Sequence, residues 1–252
     1  MQGSDISYLL TGAIFYIFGL IWCFEYAIFC SPGRPTTLDS RGGPSRKNGG
    51  FRKILSRYPL EGGLKLIATV IGLTGTLTYS PNNGIISAKV RYATIYLFFA
   101  FSGLVDVFNF YFPHNFSIGL VKMGLAQSFF VEGFLFLWAN IGDNSMVDAI
   151  LAGIVWMSAL SVTLEIIWPE VKLLTGVTTL LHGAWIAHMV RSHGTNYLTS
   201  EEIAVNFSWH IAVASTVTLC IVGITRCSTF RSSREIPPEI PIYDYCQEPG
   251  RP

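Results

Sequence analysis

The chain has 252 residues, half of them hydrophobic, with a mean hydropathy of +0.44 and only 13% charged side chains. A soluble domain carries about 25% charged residues, so this composition excludes a soluble globule and a disordered chain and leaves an integral membrane protein. The formal net charge is +1, and the five cysteines, with no CxxC pair or regular spacing, do not suggest a disulfide scaffold or a zinc module.

Residues 1–5 carry no Lys or Arg, and an apolar run follows over 6–30 with Glu25 in its later third. That run lacks the basic start and small-residue cleavage site of a signal peptide and is too long for one, so it reads as a retained first span. Segment 31–60 changes character: Arg34, Arg41, Arg46, Lys47, Arg52, Lys53 and Arg57 face one acid, Asp39, among Pro, Gly and Ser. Such a composition cannot bury apolar area and predicts a flexible loop. Its charges suit anionic lipid headgroups; no aromatic platform or recognition motif accompanies them, so nucleic acid is not expected as a partner.

The second span, about 63–80, holds Gly72 and Gly75, suited to close helix packing. The third, 93–112, carries Asp106, with Ser102 and Asn109 on the same face. Pro113-His114-Asn115 breaks it, and the fourth, about 117–138, has Lys122 near its start and Ser128 and Glu132 on one stripe. The fifth, about 146–168, puts Ser158, Ser161 and Glu165 on one face, with Pro169 marking its end. The sixth, about 171–190, aligns Thr175, Thr178 and His182, with Trp185 and His188 beyond, and the seventh, about 203–225, sets Asn206 one turn before His210. The remainder mixes Arg with Pro-Pro-Glu-Ile-Pro and reads as a disordered tail over 227–252. The expected architecture is thus an all-α bundle of seven transmembrane helices occupying 1–226.

Seven spans put the termini on opposite sides. With the N-terminus outside and the C-terminus cytosolic, the cytosolic side collects the basic loop, Lys65, Lys122, Lys172 and the tail arginines, and the outer side keeps Lys89, Arg91 and Arg191. That asymmetry satisfies the positive-inside rule. The sequons at Asn115 and Asn206 would then be cytosolic and intramembrane, where glycans are not added. Cys30 and Cys227 fall just past predicted helix ends, places where palmitoylation occurs; the alternative is two ordinary thiols.

Ionisable side chains inside spans usually face a bundle interior, where they pair or line a cavity. Asp106 and Lys122 lie at equal depth across a tight turn, each about 8–9 Å above it, and are expected to form a structural ion pair, with Glu25 and Glu165 in the same inner third. Glu132, His182 and His210 fall higher, at roughly 18–24 Å from the cytosolic ends. One carboxylate and two imidazoles at one depth could bind a divalent metal or relay protons; the alternative is that each bonds a Ser, a Thr or a carbonyl on its neighbour. Enzyme signatures are absent: no Gly-x-Ser-x-Gly, His-Glu-x-x-His, Walker loop or dinucleotide fingerprint occurs.

The stretches Tyr96-Leu97-Phe98-Phe99-Ala100-Phe101-Ser102-Gly103-Leu104-Val105-Asp106, Glu132-Gly133-Phe134-Leu135-Phe136, Leu164-Glu165 and Trp209-His210 resemble the transmembrane protein 45 family, which includes the epididymal transmembrane proteins. The resemblance runs from the first span to the last and leaves out the basic loop and the tail. It implies a seven-span membrane protein and no particular chemistry. Relatives often carry His-x-His after the Glu-Gly-Phe-Leu-Phe motif and a histidine before the Tyr-Leu-Phe-Phe motif. This chain has Leu137-Trp138-Ala139-Asn140-Ile141 and Tyr92 at those places, so any metal site built on those histidines is reduced here or displaced to His182. The leading expectation is a non-enzymatic multipass protein acting through membrane partners, in the plasma membrane or a secretory-pathway membrane. A proton- or metal-linked transporter or channel using the Glu132 layer comes second, and a metal-dependent intramembrane hydrolase third.

Overall fold

A computed structural model describes residues 3–29, 59–79, 88–113, 117–138, 145–192 and 199–234. The described residues form α1 (Gly3–Phe29), α2 (Leu60–Tyr79), α3 (Ala88–Tyr111), α4 (Ile118–Trp138), α5 (Ser145–Leu164), α6 (Lys172–Ser192) and α7 (Ser200–Arg234), with a short 3-10 turn at Pro169–Val171 and no strand. Six of these helices, α1 to α5 and α7, are long and apolar enough to cross a membrane. The chain is therefore all-α and a multipass membrane protein.

α6 matches the others in length but not in apolar content, because it carries Lys172, Thr175, Thr178, Thr179, His182 and His188. Its place in the bundle accounts for this. Consecutive helices pack as neighbours, and α6 returns to α1, closing six helices into a ring with α7 outside, in the groove between α1 and α6. Packed by α1, α5 and α7, α6 buries Thr175, Thr178, Thr179 and His182. A helix enclosed by other helices need not be apolar all round.

The α1–α6 seam is the most extensive helix contact, and glycines make it possible. A Cβ on Gly19 would stand 2.5 Å from the Leu180 backbone nitrogen, and one on Gly12 would stand 2.7 Å from the Gly183 carbonyl oxygen. Backbone meets backbone along two antiparallel helices, the small-residue contact that drives helix association where lipid offers no hydrophobic gain. Inside the ring, Phe15, Phe99 and Phe129 pack edge to face at 5.1 and 5.2 Å.

Several boundaries differ from the sequence expectation. α7 continues through Arg226 to Arg234, so the expected tail at 227 begins with two further helical turns and Cys227 lies on the helix, exposed, rather than past its end. α7 also starts earlier, at a capping box: the Thr199 amide donates to Glu202 Oε2 at 2.8 Å and the Glu202 amide to Thr199 Oγ1 at 3.3 Å. α3 begins five residues before the expected 93, because Lys89 and Arg91 interrupt the apolar run without interrupting the helix. α5 ends at Leu164, one turn before Pro169, and tightens through the bond from the Ile167 amide to the Leu164 carbonyl at 3.0 Å. The basic loop 31–60 up to residue 58, Cys30, Asn115 and the chain after 234 lie outside the described residues.

Candidate functional site

Polar side chains inside the bundle stand in three tiers. The inner tier gathers three lysines and four carboxylates at the end where α2, α4 and α6 begin. Lys65 donates to Asp106 Oδ2 at 2.6 Å and lies 3.1 Å from Glu61, one turn earlier on α2. Lys122 on α4 donates to Glu165 at 2.8 Å, and Lys172 on α6 donates to Glu25 on α1 at 2.7 Å. Trp22 donates its indole N–H to Glu61 at 3.3 Å, and its ring lies 5.9 Å from the Lys65 ammonium. Every one of these seven charges has an opposite partner.

The expected Asp106–Lys122 pair is corrected by this arrangement. Equal depth holds, but depth does not fix which way a side chain points round its helix. A Cβ on Gly62 would meet the Asp106 Cβ at 2.8 Å and the Gly103 carbonyl oxygen at 2.9 Å. This close approach of α2 to α3 brings Asp106 against α2, where Lys65 is the nearest ammonium. Lys122 is left to face α5, where the turn after Leu164 presents Glu165. Glu25 and Glu165 join the inner tier as expected.

The middle tier stands ten residues higher on each helix, about 15 Å by helix rise: Phe15 above Glu25, Tyr96 above Asp106, Glu132 above Lys122 and His182 above Lys172. His182 Nε2 approaches Glu132 Oε1 at 3.2 Å, and both side chains are 0% exposed. The Phe15 ring lies over the imidazole at 4.2 Å with planes tilted by 32°. Tyr96 shares a 2.6 Å hydrogen bond with Thr11. The Glu132–His182 approach is close but not aligned as a hydrogen bond: both carboxylate oxygens and both imidazole nitrogens lack a hydrogen-bond partner among the described residues, as do the hydroxyls of Ser102, Thr175 and Thr179. Buried polar atoms are ordinarily paired, and one left unpaired costs about 1–3 kcal/mol. A cavity of about 30 Å³ lies between the inner and middle tiers, lined by Phe15, Trp22, Lys65, Thr69, Tyr96 and Phe129 among others. That is room enough for a water molecule.

The outer tier holds Arg91, whose guanidinium lies over Tyr92 at 5.3 Å and Phe136 at 5.2 Å. It also holds His188 and His210, with ring centres 5.1 Å apart. His210 is therefore not part of the middle tier, and the expected set of Glu132, His182 and His210 is corrected to a pair. The reason is the position of α7: it lies outside the ring, and its start near Ser200 sets His210 ten residues into the helix, level with His188 near the end of α6. Among the described residues no three His, Cys, Asp or Glu side chains are grouped so as to hold a metal ion.

Sequence reasoning set Ser158 and Ser161 on one face of α5 and Thr175 and Thr178 on one stripe of α6, and all four are buried. It missed the role of Lys65 and Glu61, which rests on the close approach of α2 and α3 at Gly62 and Gly103. It also missed that His188 and His210 meet, since a contact between the ring and a peripheral helix leaves no spacing to read. No model of a known protein family matches the chain.

Proposed function

We propose that this protein is a proton-linked transporter or channel in which Glu132 and His182 hold the proton at mid-membrane. The single observation that carries the reading is that pair: two titratable groups from α4 and α6, 3.2 Å apart, wholly buried, with their polar atoms unsatisfied. A pair kept only to join helices would be aligned and satisfied, because leaving it otherwise is costly. One proton serves both groups, as carboxylate with imidazolium or as carboxylic acid with neutral imidazole. Its transfer between Oε1 and Nε2 moves it from α4 to α6 without changing the net charge in the core. The Thr175 and Thr179 hydroxyls lie on α6 between His182 and the Lys172–Glu25 pair. They offer donors and acceptors on the way to the inner tier.

The experiment is proton flux in liposomes under an imposed pH gradient. Flux carried by the native chain is expected to disappear in Glu132→Gln and in His182→Gln. Flux equal in all three, or absent from the native chain under every imposed gradient, ends the reading.

The reading takes α6 as a seventh span, the N-terminus as outside and the C-terminus as cytosolic, in the plasma membrane or a secretory-pathway membrane. Support comes from the enclosure of α6 and from the lysines of the inner tier, which share the end bearing the basic loop. Cys227 is exposed and open to the palmitoylation proposed for that side. In sealed, right-side-out cells it should resist an impermeant maleimide; labelling from outside reverses the topology. Membership of the transmembrane protein 45 family is proposed on the motifs quoted above. A second reading, action through membrane partners, is favoured by Ala204, Ser208, Ala212, Thr216 and Cys220, which repeat every four residues along α7 and are all exposed. It predicts a co-purifying membrane protein that is lost when Ala212 and Thr216 become Leu.

A further inference from the structure

His188 and His210 play no part in the proton reading, and their geometry is specific. The rings stand 5.1 Å apart with planes at 71°. Trp185 backs both, at 5.3 Å from His188 and 5.6 Å from His210. Both histidines are half-buried, one on the ring helix α6 and the other on the peripheral helix α7.

A metal–nitrogen bond of about 2.1 Å, plus the distance from nitrogen to ring centre, sets two imidazoles on one tetrahedral ion about 5 Å apart, centre to centre. Linear two-coordination requires a separation above about 6 Å, and adjacent corners of a square plane bring the rings to about 4.5 Å. The observed separation falls on the tetrahedral value. We propose that His188 and His210 form a site for a divalent cation of tetrahedral preference, zinc in the first place, with water completing the shell. The ion pins α7 to the ring. α7 has most need of such a link: only 17% of its span is buried, against 56% for α5.

The test uses the untagged full-length chain in detergent or nanodiscs, titrated with Zn²⁺ and followed by thermal unfolding, with Co²⁺ as a spectroscopic stand-in. One equivalent of zinc should raise the unfolding midpoint, and Co²⁺ should give the intense visible bands of a tetrahedral centre. His188→Gln or His210→Gln should weaken binding at least tenfold. The double change His188→Cys with His210→Cys, which puts two good zinc ligands at the same places, should restore it and so separate loss of ligands from loss of fold. No binding by the native chain overturns the site and leaves an aromatic contact. Binding that survives in the two Gln variants, or that vanishes in Glu132→Gln instead, places the metal elsewhere and overturns it equally.

Discussion

The inner tier and the middle tier both place ionisable side chains inside the same bundle, about 15 Å apart by helix rise, yet they are finished differently. In the inner tier each ammonium meets a carboxylate at 2.6 to 2.8 Å, and Lys65 meets two. In the middle tier Glu132 and His182 approach to 3.2 Å without completing a hydrogen bond. A saturated set of charges resists change, because moving one member leaves its partner uncompensated, at the greatest cost in the nearly buried Lys65–Asp106 pair. An unsaturated pair has spare donors and acceptors, and so can gain or lose a proton or a water while its helices stay in place. On the proposed reading the inner tier holds and the middle tier exchanges.

The strongest way to break that assignment is Lys65→Ala. It strands the nearly buried Asp106 and should cost about 3–5 kcal/mol in unfolding experiments. A loss no larger than that of an exposed lysine would mean the tier is not saturated as described. Next comes a double-mutant cycle on Lys122→Met and Glu165→Leu. Each single change should cost about 2 kcal/mol and the double should recover most of that, since the partly exposed pair costs desolvation that apolar residues avoid. The parallel cycle on Lys122→Met and Asp106→Leu should be additive, and coupling there larger than in the Glu165 cycle would restore the Asp106–Lys122 partnership. The smallest effect belongs to Glu132→Gln, whose stability should stay within about 1 kcal/mol of native while proton flux is lost. A destabilisation equal to that of Lys65→Ala would make the middle pair a structural one as well.

Much of this organisation was legible in the sequence, for reasons that differ by level. Helix positions follow from apolar runs whose length is set by the bilayer, and burial of a face follows from small polar residues at turn spacing, as with Ser158, Ser161 and Glu165. Depth was legible too, because it follows from counting residues: Asp106, Lys122 and Glu165 do share a tier. Direction round the helix was not. Whether Asp106 meets Lys65 or Lys122 depends on how closely α2 and α3 approach, and that is decided by the missing side chains of Gly62 and Gly103. The order of helices in space was not legible either. Nothing local to His210 says that α7 lies outside the ring, and so beside His188 instead of His182.

The glycine seam between α1 and α6 has a consequence for biosynthesis. Its two halves are separated by four intervening helices. α1 therefore meets its main partner only after four further helices have been made and α6 has followed them. Until then the bare backbone at Gly12 and Gly19 faces lipid, and α1 has only the lighter contact with α2 to retain it. α2 with α3 and α4 with α5 can settle as hairpins while translation continues. The ring closes in one late step, and a chain halted before Lys172 has no seam to close.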